Sequence, residues 1–291
     1  MAMSLRAVSN EIESPITVRK LALALGGEIS GVDLGAPMSD ATFEAIHAAL
    51  MEYQVIFFRD QQMTMEQQLA LATRFGPPTY SKKLPKYDGH DYTSLIQTDG
   101  STINVGGKWH SDNTDFTTPP MGAVLYAEQV PSFGGDTLFA SMYAAYDALS
   151  AGMRAYLDGL YALHDNSDVV RRFAGTAYLN KEAAEVPPPA KHPVVRVHPV
   201  TGRKALYVNS SYTRSIVGVP DTESKHILAM LLEHVQLPEF QVRFQWQPGS
   251  VTIWDNRCTQ HYAPNDYREP RRMRRVQIDG DVPRGPQPAQ A

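Results

Sequence analysis

The feature that most narrows the fold of this chain is the succession of its extended segments, which follow one another with few helices between them. Phe240, Val242, Phe244 and Trp246 alternate with polar residues, the period-two pattern of a half-buried strand. Val251-Thr252-Ile253-Trp254 follows a Pro248-Gly249 turn, and a last extended run covers about Arg271 to Ile278. Val194-Val195-Arg196-Val197 and Ala205-Leu206-Tyr207-Val208 flank a Thr201-Gly202 turn and read as a hairpin. Strands are expected upstream at Ile16 to Leu23, Gln54 to Phe58 and Met121 to Val130. Strands and helices do not alternate cleanly, which argues against a doubly wound parallel sheet. No glycine-rich loop joins a strand to a helix, so a nucleotide-binding fold gains no support.

Helices sit mainly at the front. Ser39-Asp40 caps one with Phe43, Ile46 and Leu50 on a single face. Thr64 to Gln67 forms a capping box for a second, which ends at Gly76. Ser141 to Gly159 reads as helical, and Asp221 is expected to cap a helix that runs to about Val235. Pro77 to Lys108 and Asn166 to Lys191 lack periodicity and are expected as irregular stretches that close over a pocket. The fold class expected is therefore mainly β with peripheral α-helices. Its core would be a double-stranded β-helix, the jelly roll of cupin-like proteins. One domain is expected over residues 16–282, with residues 1–15 and the Pro-, Gln- and Ala-rich residues 283–291 lacking order.

Composition removes several function classes. The formal net charge of −4 argues against nucleic acid or an anionic membrane as partner. Cys258 is the sole cysteine, so neither an intrachain disulfide nor a cysteine-based zinc site can form. Met1 to Pro15 lacks an apolar stretch of signal-peptide type, and no apolar run is long enough to span a bilayer. A cytoplasmic protein is the expectation.

Most of the nine histidines carry no further signal. His110 does, within Trp109-His110-Ser111-Asp112. In an extended segment His110 and Asp112 point the same way and can share one metal ion. Imidazole plus carboxylate is two thirds of the two-histidine, one-carboxylate triad of non-haem iron oxygenases. The pair alone is weak, because His-x-Asp recurs by chance. His261 is the candidate third ligand, just past an apolar strand; the competing reading is a loop histidine bonded to Asp255 or Asp266. The run Arg271-Arg272-Met273-Arg274-Arg275 places Arg272 and Arg274 on one strand face and Arg271, Met273 and Arg275 on the other. An inward guanidinium implies a buried anion; a solvated basic edge strand is the alternative.

Together with Gly134 to Met142, His192 to Pro199 and Trp254 to His261, these segments resemble the taurine dioxygenase family of iron(II)- and 2-oxoglutarate-dependent enzymes. That family also includes phenoxyalkanoate and alkylsulfate dioxygenases. The resemblance covers about Thr17 to Pro283. It implies that His110, Asp112 and His261 ligate Fe(II), that Thr137 and an arginine of the last strand bind 2-oxoglutarate, and that a second arginine faces the substrate. With oxygen as the other co-substrate, it implies hydroxylation of a small acidic molecule (a sulfonate, sulfate ester or carboxylate) with release of succinate and carbon dioxide. Desaturation, cyclisation and a metal-binding module without turnover are the alternatives. Relatives of this type often form dimers or tetramers.

The arginine assignment departs from the family spacing. The family count of eleven residues past the distal histidine lands on Arg272, whereas the family separation of four between the two arginines fits Arg271 and Arg275. A deletion in the preceding loop costs little, but one inside a strand would flip every later side chain. Arg271 is therefore assigned to 2-oxoglutarate, with Arg272 as fallback, and Arg275 to substrate. Taurine enzymes carry a histidine in the loop after the early Phe-Gly; here that loop reads Pro77 to Lys83. Lys82 and Asp115 are the additional substrate candidates.

Overall fold

The computed structural model describes residues 15–80, 84–100, 106–173 and 186–287. The first part of the chain runs β1 (Thr17–Lys20), β2 (Gly27–Ser30), α1 (Asp40–Tyr53), β3 (Val55–Phe58) and α2 (Met65–Phe75). Then come β4 (Pro78–Thr79), β5 (Lys86–Tyr87), β6 (His90–Thr98), β7 (Gly122–Gln129), β8 (Thr137–Ser141), α3 (Met142–Asp147) and α4 (Ala151–Leu157). Next are β9 (Tyr161–His164), α5 (Ser167–Phe173), β10 (Ala190–Pro193), β11 (Val195–Val197), β12 (Lys204–Leu206) and β13 (Thr213–Ile216). The chain closes with α6 (Asp221–His234), β14 (Gln241–Phe244), β15 (Val251–Asp255), β16 (Thr259–Tyr262) and β17 (Arg271–Ile278). Among the described residues no helix is long and apolar enough to cross a membrane.

Two sheets enclose the core. The larger runs β1-β2-β3-β15-β7-β17-β6-β5, with β4 beside β17. The smaller runs β14-β8-β16. Its strands reach across from the large one: β15 and β16 are joined by a short turn, as are β7 and β8 by a longer loop. This is the expected jelly-roll core. Between the sheets lie Val55, Phe57, Phe139, Phe244, Trp254 and Met273, with Phe57 and Phe244 stacked at 4.1 Å between ring centroids. Ile56, Phe58, Val124, Ile253, Val276 and Ile278 face the other way, under Ile46 and Leu50 of α1 and Leu71 of α2. The central strands are thus buried on both faces, and β3 reads as a continuous apolar run for that reason. Each fully buried aromatic or aliphatic side chain contributes on the order of 1.5–3 kcal/mol.

Two of the three expected caps are observed, but Asp221 is the first residue of α6 rather than its cap: Pro220 takes the cap position and offers no side-chain bond. Ser39 accepts from the Thr42 amide, and the Thr64–Gln67 capping box is complete. Gln54 belongs to the helix end rather than to a strand: it caps α1 in the left-handed region at φ 66°. The Ser141 to Gly159 segment is two helices, because Ser150 caps a fresh start at Ala151. Pro77 to Lys108 was expected to be irregular, yet it contains β6, paired with β17 from Arg271↔Thr98 to Val276↔Thr93. β6 buries Thr93, Ser94 and Thr98 in place of large apolar residues, so its hydropathy carries no strand signal. Asn166 to Lys191 likewise contains α5. Past residue 282, Arg284 pairs with Val197.

Candidate active site

His110 and His261 are direct cross-strand partners. The His110 amide donates to the His261 carbonyl at 3.1 Å and the His261 amide to the His110 carbonyl at 2.8 Å. Opposite residues of an antiparallel pair project from the same face, and the two imidazole centroids lie 4.1 Å apart. Asp112, two residues along, shares that face. Its Oδ1 lies 3.7 Å from His110 Nε2 and 3.9 Å from His261 Nε2. The period-two argument for His110 and Asp112 thus describes the observed arrangement.

Two braces fix this geometry. His110 Nδ1 lies 2.7 Å from the Lys108 carbonyl, so it carries the proton and leaves the Nε2 lone pair for a ligand. His261 Nδ1 is buried with no hydrogen-bond partner among the described residues; its ring is held by packing, 5.1 Å from Trp254 and 5.9 Å from Phe139. Asn256 grips the peptide of Asp112. Its Oδ1 accepts from the Asp112 amide at 2.7 Å, and its Nδ2 donates to the Asp112 and Pro120 carbonyls at 3.0 Å.

The three side chains open on a cavity of about 120 Å³. Thr137, Arg271 and Arg275 line it, as do Leu84, Ile96, Val169, Arg172, Phe173 and Tyr212. Arg275 NH1 donates to Asp112 Oδ2 at 3.1 Å. Arg271 Nε donates to the Gly135 carbonyl at 3.2 Å, and its guanidinium sits 5.8 Å over Trp246. Trp246 Nε1 in turn donates to Thr137 Oγ1 at 3.0 Å. Because indole can only donate, the Thr137 hydroxyl keeps its own proton for an acceptor in the cavity.

The donor set fits a divalent cation. Burial holds both imidazoles below the ordinary histidine range; His261 falls to about 3, helped by its neighbours His110 and Arg275. Two neutral nitrogens and one carboxylate then face a single point, with Arg275 behind Asp112. Two histidines and one carboxylate leave further coordination positions open, the arrangement suited to Fe(II). His198, Asp255 and Cys258 form a second buried cluster of potential ligands. Its hydrogen bonds are already spent: His198 Nδ1 accepts from the Val200 and Thr201 amides, leaving Nε2 to donate to Asp255 at 2.9 Å. Arg257 holds the same carboxylate at 2.6 Å. This cluster is an internal brace.

The family model described as "Taurine catabolism dioxygenase TauD, TfdA family" matches residues 17–277. The chain belongs to this family. With it, the chain is a dioxygenase dependent on Fe(II), 2-oxoglutarate and oxygen. It is 38% identical over 288 residues to an alpha-ketoglutarate-dependent sulfate ester dioxygenase of Pseudomonas putida, covering 93% of this chain and 91% of that one. An (S)-phenoxypropionate/alpha-ketoglutarate-dioxygenase of Sphingobium herbicidovorans is 34% identical, covering 91% and 95% respectively. The crystal structure of a taurine dioxygenase from Burkholderia xenovorans superposes with a TM-score of 0.79 at 39% identity, covering 93% of each chain.

Against this TauD/TfdA frame, Arg271, Arg275, Thr137 and the triad meet in one cavity. The fallback Arg272 does not join them. It points to the opposite face of β17, where it pairs with Glu128 at 2.8 Å. Arg274 shares that face and is buried with Gln68, Met63 and Glu128, so its inward guanidinium needs no ligand anion. Asp115 is buried, but the cavity lining includes Asp112 and Asn113 and not Asp115. Lys82 and Lys83 lie outside the described residues. Asn256, Trp246 and Arg172 were not singled out from the sequence. Asn256 stands inside the Trp254 to His261 motif, a signal that could have found it; the other two are placed by tertiary packing.

Proposed function

We propose that His110 Nε2, His261 Nε2 and Asp112 Oδ1 hold the Fe(II), that Arg271 and Thr137 bind the distal carboxylate of 2-oxoglutarate, and that Arg275 faces the acidic group of the substrate. The observation that carries this reading is the convergence of three metal-type donors and two cavity-facing arginines of one strand on a single cavity. When bound, the metal would let oxygen act as the oxidant for C–H hydroxylation, with 2-oxoglutarate giving two of the electrons as it is converted to succinate and carbon dioxide and the substrate C–H bond giving the other two. The chain contributes orientation. Arg271 offers a planar fork to a carboxylate, and the Thr137 hydroxyl adds a directed donor. Arg275 steadies the outer oxygen of Asp112 while reaching toward substrate. Phe139, Trp254 and Leu125 keep the floor of the cavity apolar and limit water.

The reaction is hydroxylation of a small organic acid, in keeping with relatives named for sulfate esters and phenoxypropionate. A cytoplasmic location accords with a single, buried thiol. The test is anaerobic titration with Fe(II) and 2-oxoglutarate, following the weak visible charge-transfer band of the chelate. The wild type should develop the band, and His110→Ala and Asp112→Ala should abolish it. A folded wild type that takes up metal without the band would sink the assignment.

A further inference from the structure

Beyond the triad and the two β17 arginines, the cavity holds one more charged side chain. Arg172 lies near the C-terminal end of α5, an element remote in sequence from β17, and lines the same opening as His110, Asp112 and His261. Its recorded ring contact is with its own neighbour, the guanidinium lying 5.1 Å over Phe173. Among the described residues it forms no hydrogen bond and no ion pair. The adjacent Arg171, by contrast, pairs with Asp168 at 2.5 Å and is largely exposed.

The charge balance gives this arginine a purpose. Arg172, Arg271 and Arg275 line the cavity against the single carboxylate of Asp112. Fe(II) and the dianion of 2-oxoglutarate bring equal and opposite charges, so loading both leaves the surplus of positive charge intact. Arg275 cannot absorb a substrate anion alone. One of its amino groups is spent on Asp112, and its Nε is buried with no partner. A buried donor of this kind gains when an anion reaches it. Apolar side chains also line the cavity, among them Leu84, Ile96, Val169 and Phe173, beside the polar Asn113, Ser211 and Tyr212.

We propose that Arg172 is a specificity-determining residue, which together with Arg275 holds the anionic head of the substrate, and that this head is a sulfate ester or sulfonate on an apolar body. The inference rests on the dioxygenase reading above. A carboxylate has two oxygens, and one guanidinium fork satisfies both. A sulfate or sulfonate head has three terminal oxygens, and so accepts from two guanidinium groups on separate elements. The apolar side chains then take the alkyl or aryl body.

The test uses the full chain loaded with Fe(II) and 2-oxoglutarate, with hexyl sulfate, hexane-1-sulfonate, heptanoate and hexan-1-ol as probes. Succinate release gives KM and kcat, and perturbation of the anaerobic chelate band gives binding. Arg172→Gln is expected to raise KM for the sulfate and sulfonate about tenfold or more, to change heptanoate less, and to leave the chelate band intact. Arg172→Lys should restore part of the loss. Equal KM values in wild type and Arg172→Gln overturn the proposal, as does an equal rise for all four probes including the alcohol. A wild type that binds neither the sulfate nor the sulfonate overturns the substrate class while the band survives. Loss of the band in the wild type would instead remove the underlying dioxygenase reading.

Discussion

Asn256 holds Asp112 by both sides of its backbone, accepting from the amide at 2.7 Å and donating to the carbonyl at 3.0 Å. The side chain of Asp112 is thereby left to the cavity. Asn256→Ala strands a buried amide and carbonyl, a cost of roughly 1–3 kcal/mol for each group. We expect a lower melting temperature and Fe(II) affinity reduced about 10- to 100-fold, the usual scale for losing an outer support of a metal ligand. Isothermal titration with Fe(II) or Mn(II) reads the second effect. Undiminished affinity in the folded variant would mean that the grip does not orient the carboxylate.

The two neighbouring arginines of β17 should behave oppositely. Arg271→Ala removes a cavity-facing guanidinium, and the KM for 2-oxoglutarate should rise about tenfold or more, as expected from charge-assisted bonds of roughly 1.5–3 kcal/mol. Arg272→Ala loses a half-exposed pair with Glu128, and should leave that KM unchanged with stability altered by less than about 1 kcal/mol. Steady-state kinetics on the pair decides the register of the strand in functional terms.

Trp246→Phe keeps the packing against Phe244 but deletes the donor to Thr137. The hydroxyl of Thr137 is then free to turn away from the cavity. The KM for 2-oxoglutarate should rise several-fold while Fe(II) affinity is kept. A parallel loss of metal affinity would show that the substitution acts through general disorder of the site.

Burial lowers the proton affinity of His164 well below the usual histidine range, and that of His192 in the same direction. Below about pH 6.5 the unfolded chain therefore binds protons that the folded chain refuses. Stability is complete above that pH and falls as the pH drops, with a limiting slope of about 1.4 kcal/mol per pH unit for each such histidine. Asp165, whose proton affinity is lowered in the fold, titrates beneath this window. Urea unfolding at pH 7.5 and 5.5 should show the loss, and His164→Gln should shrink it. Equal stability at the two pH values would contradict the assignment.

How much of this was legible in the sequence depends on what each residue touches. Strand parity alone put His110 beside Asp112 and grouped Arg271 with Arg275, but with Met273 on one face and Val276 and Ile278 on the other it did not say which face turns inward. The choice between Arg271 and Arg272 followed from reasoning about where a deletion is cheap; the structure adds that Arg272 pairs with Glu128 on the other face of β17. His261 needed the family resemblance, because its proximity to His110 is a contact between distant segments. β6 was hidden because it buries threonine and serine beside the arginine strand, leaving no apolar alternation to read. Trp246 looked like one more core aromatic, since its role lies in a single N–H group. Arg172 stood in a stretch expected to be irregular, and only the placement of α5 brings it to the cavity.

The pairing of His110 with His261 also bears on biosynthesis. The two ligands are far apart in sequence, and neither the backbone bridge nor the shared face exists until β16 is in place. A ribosome-bound chain still lacking its last strands carries only His110 and Asp112, a weak and solvent-open pair. Iron loading must therefore follow closure of the sheets, so that the redox-active ion first meets the protein when its arginines and apolar walls are already assembled around it.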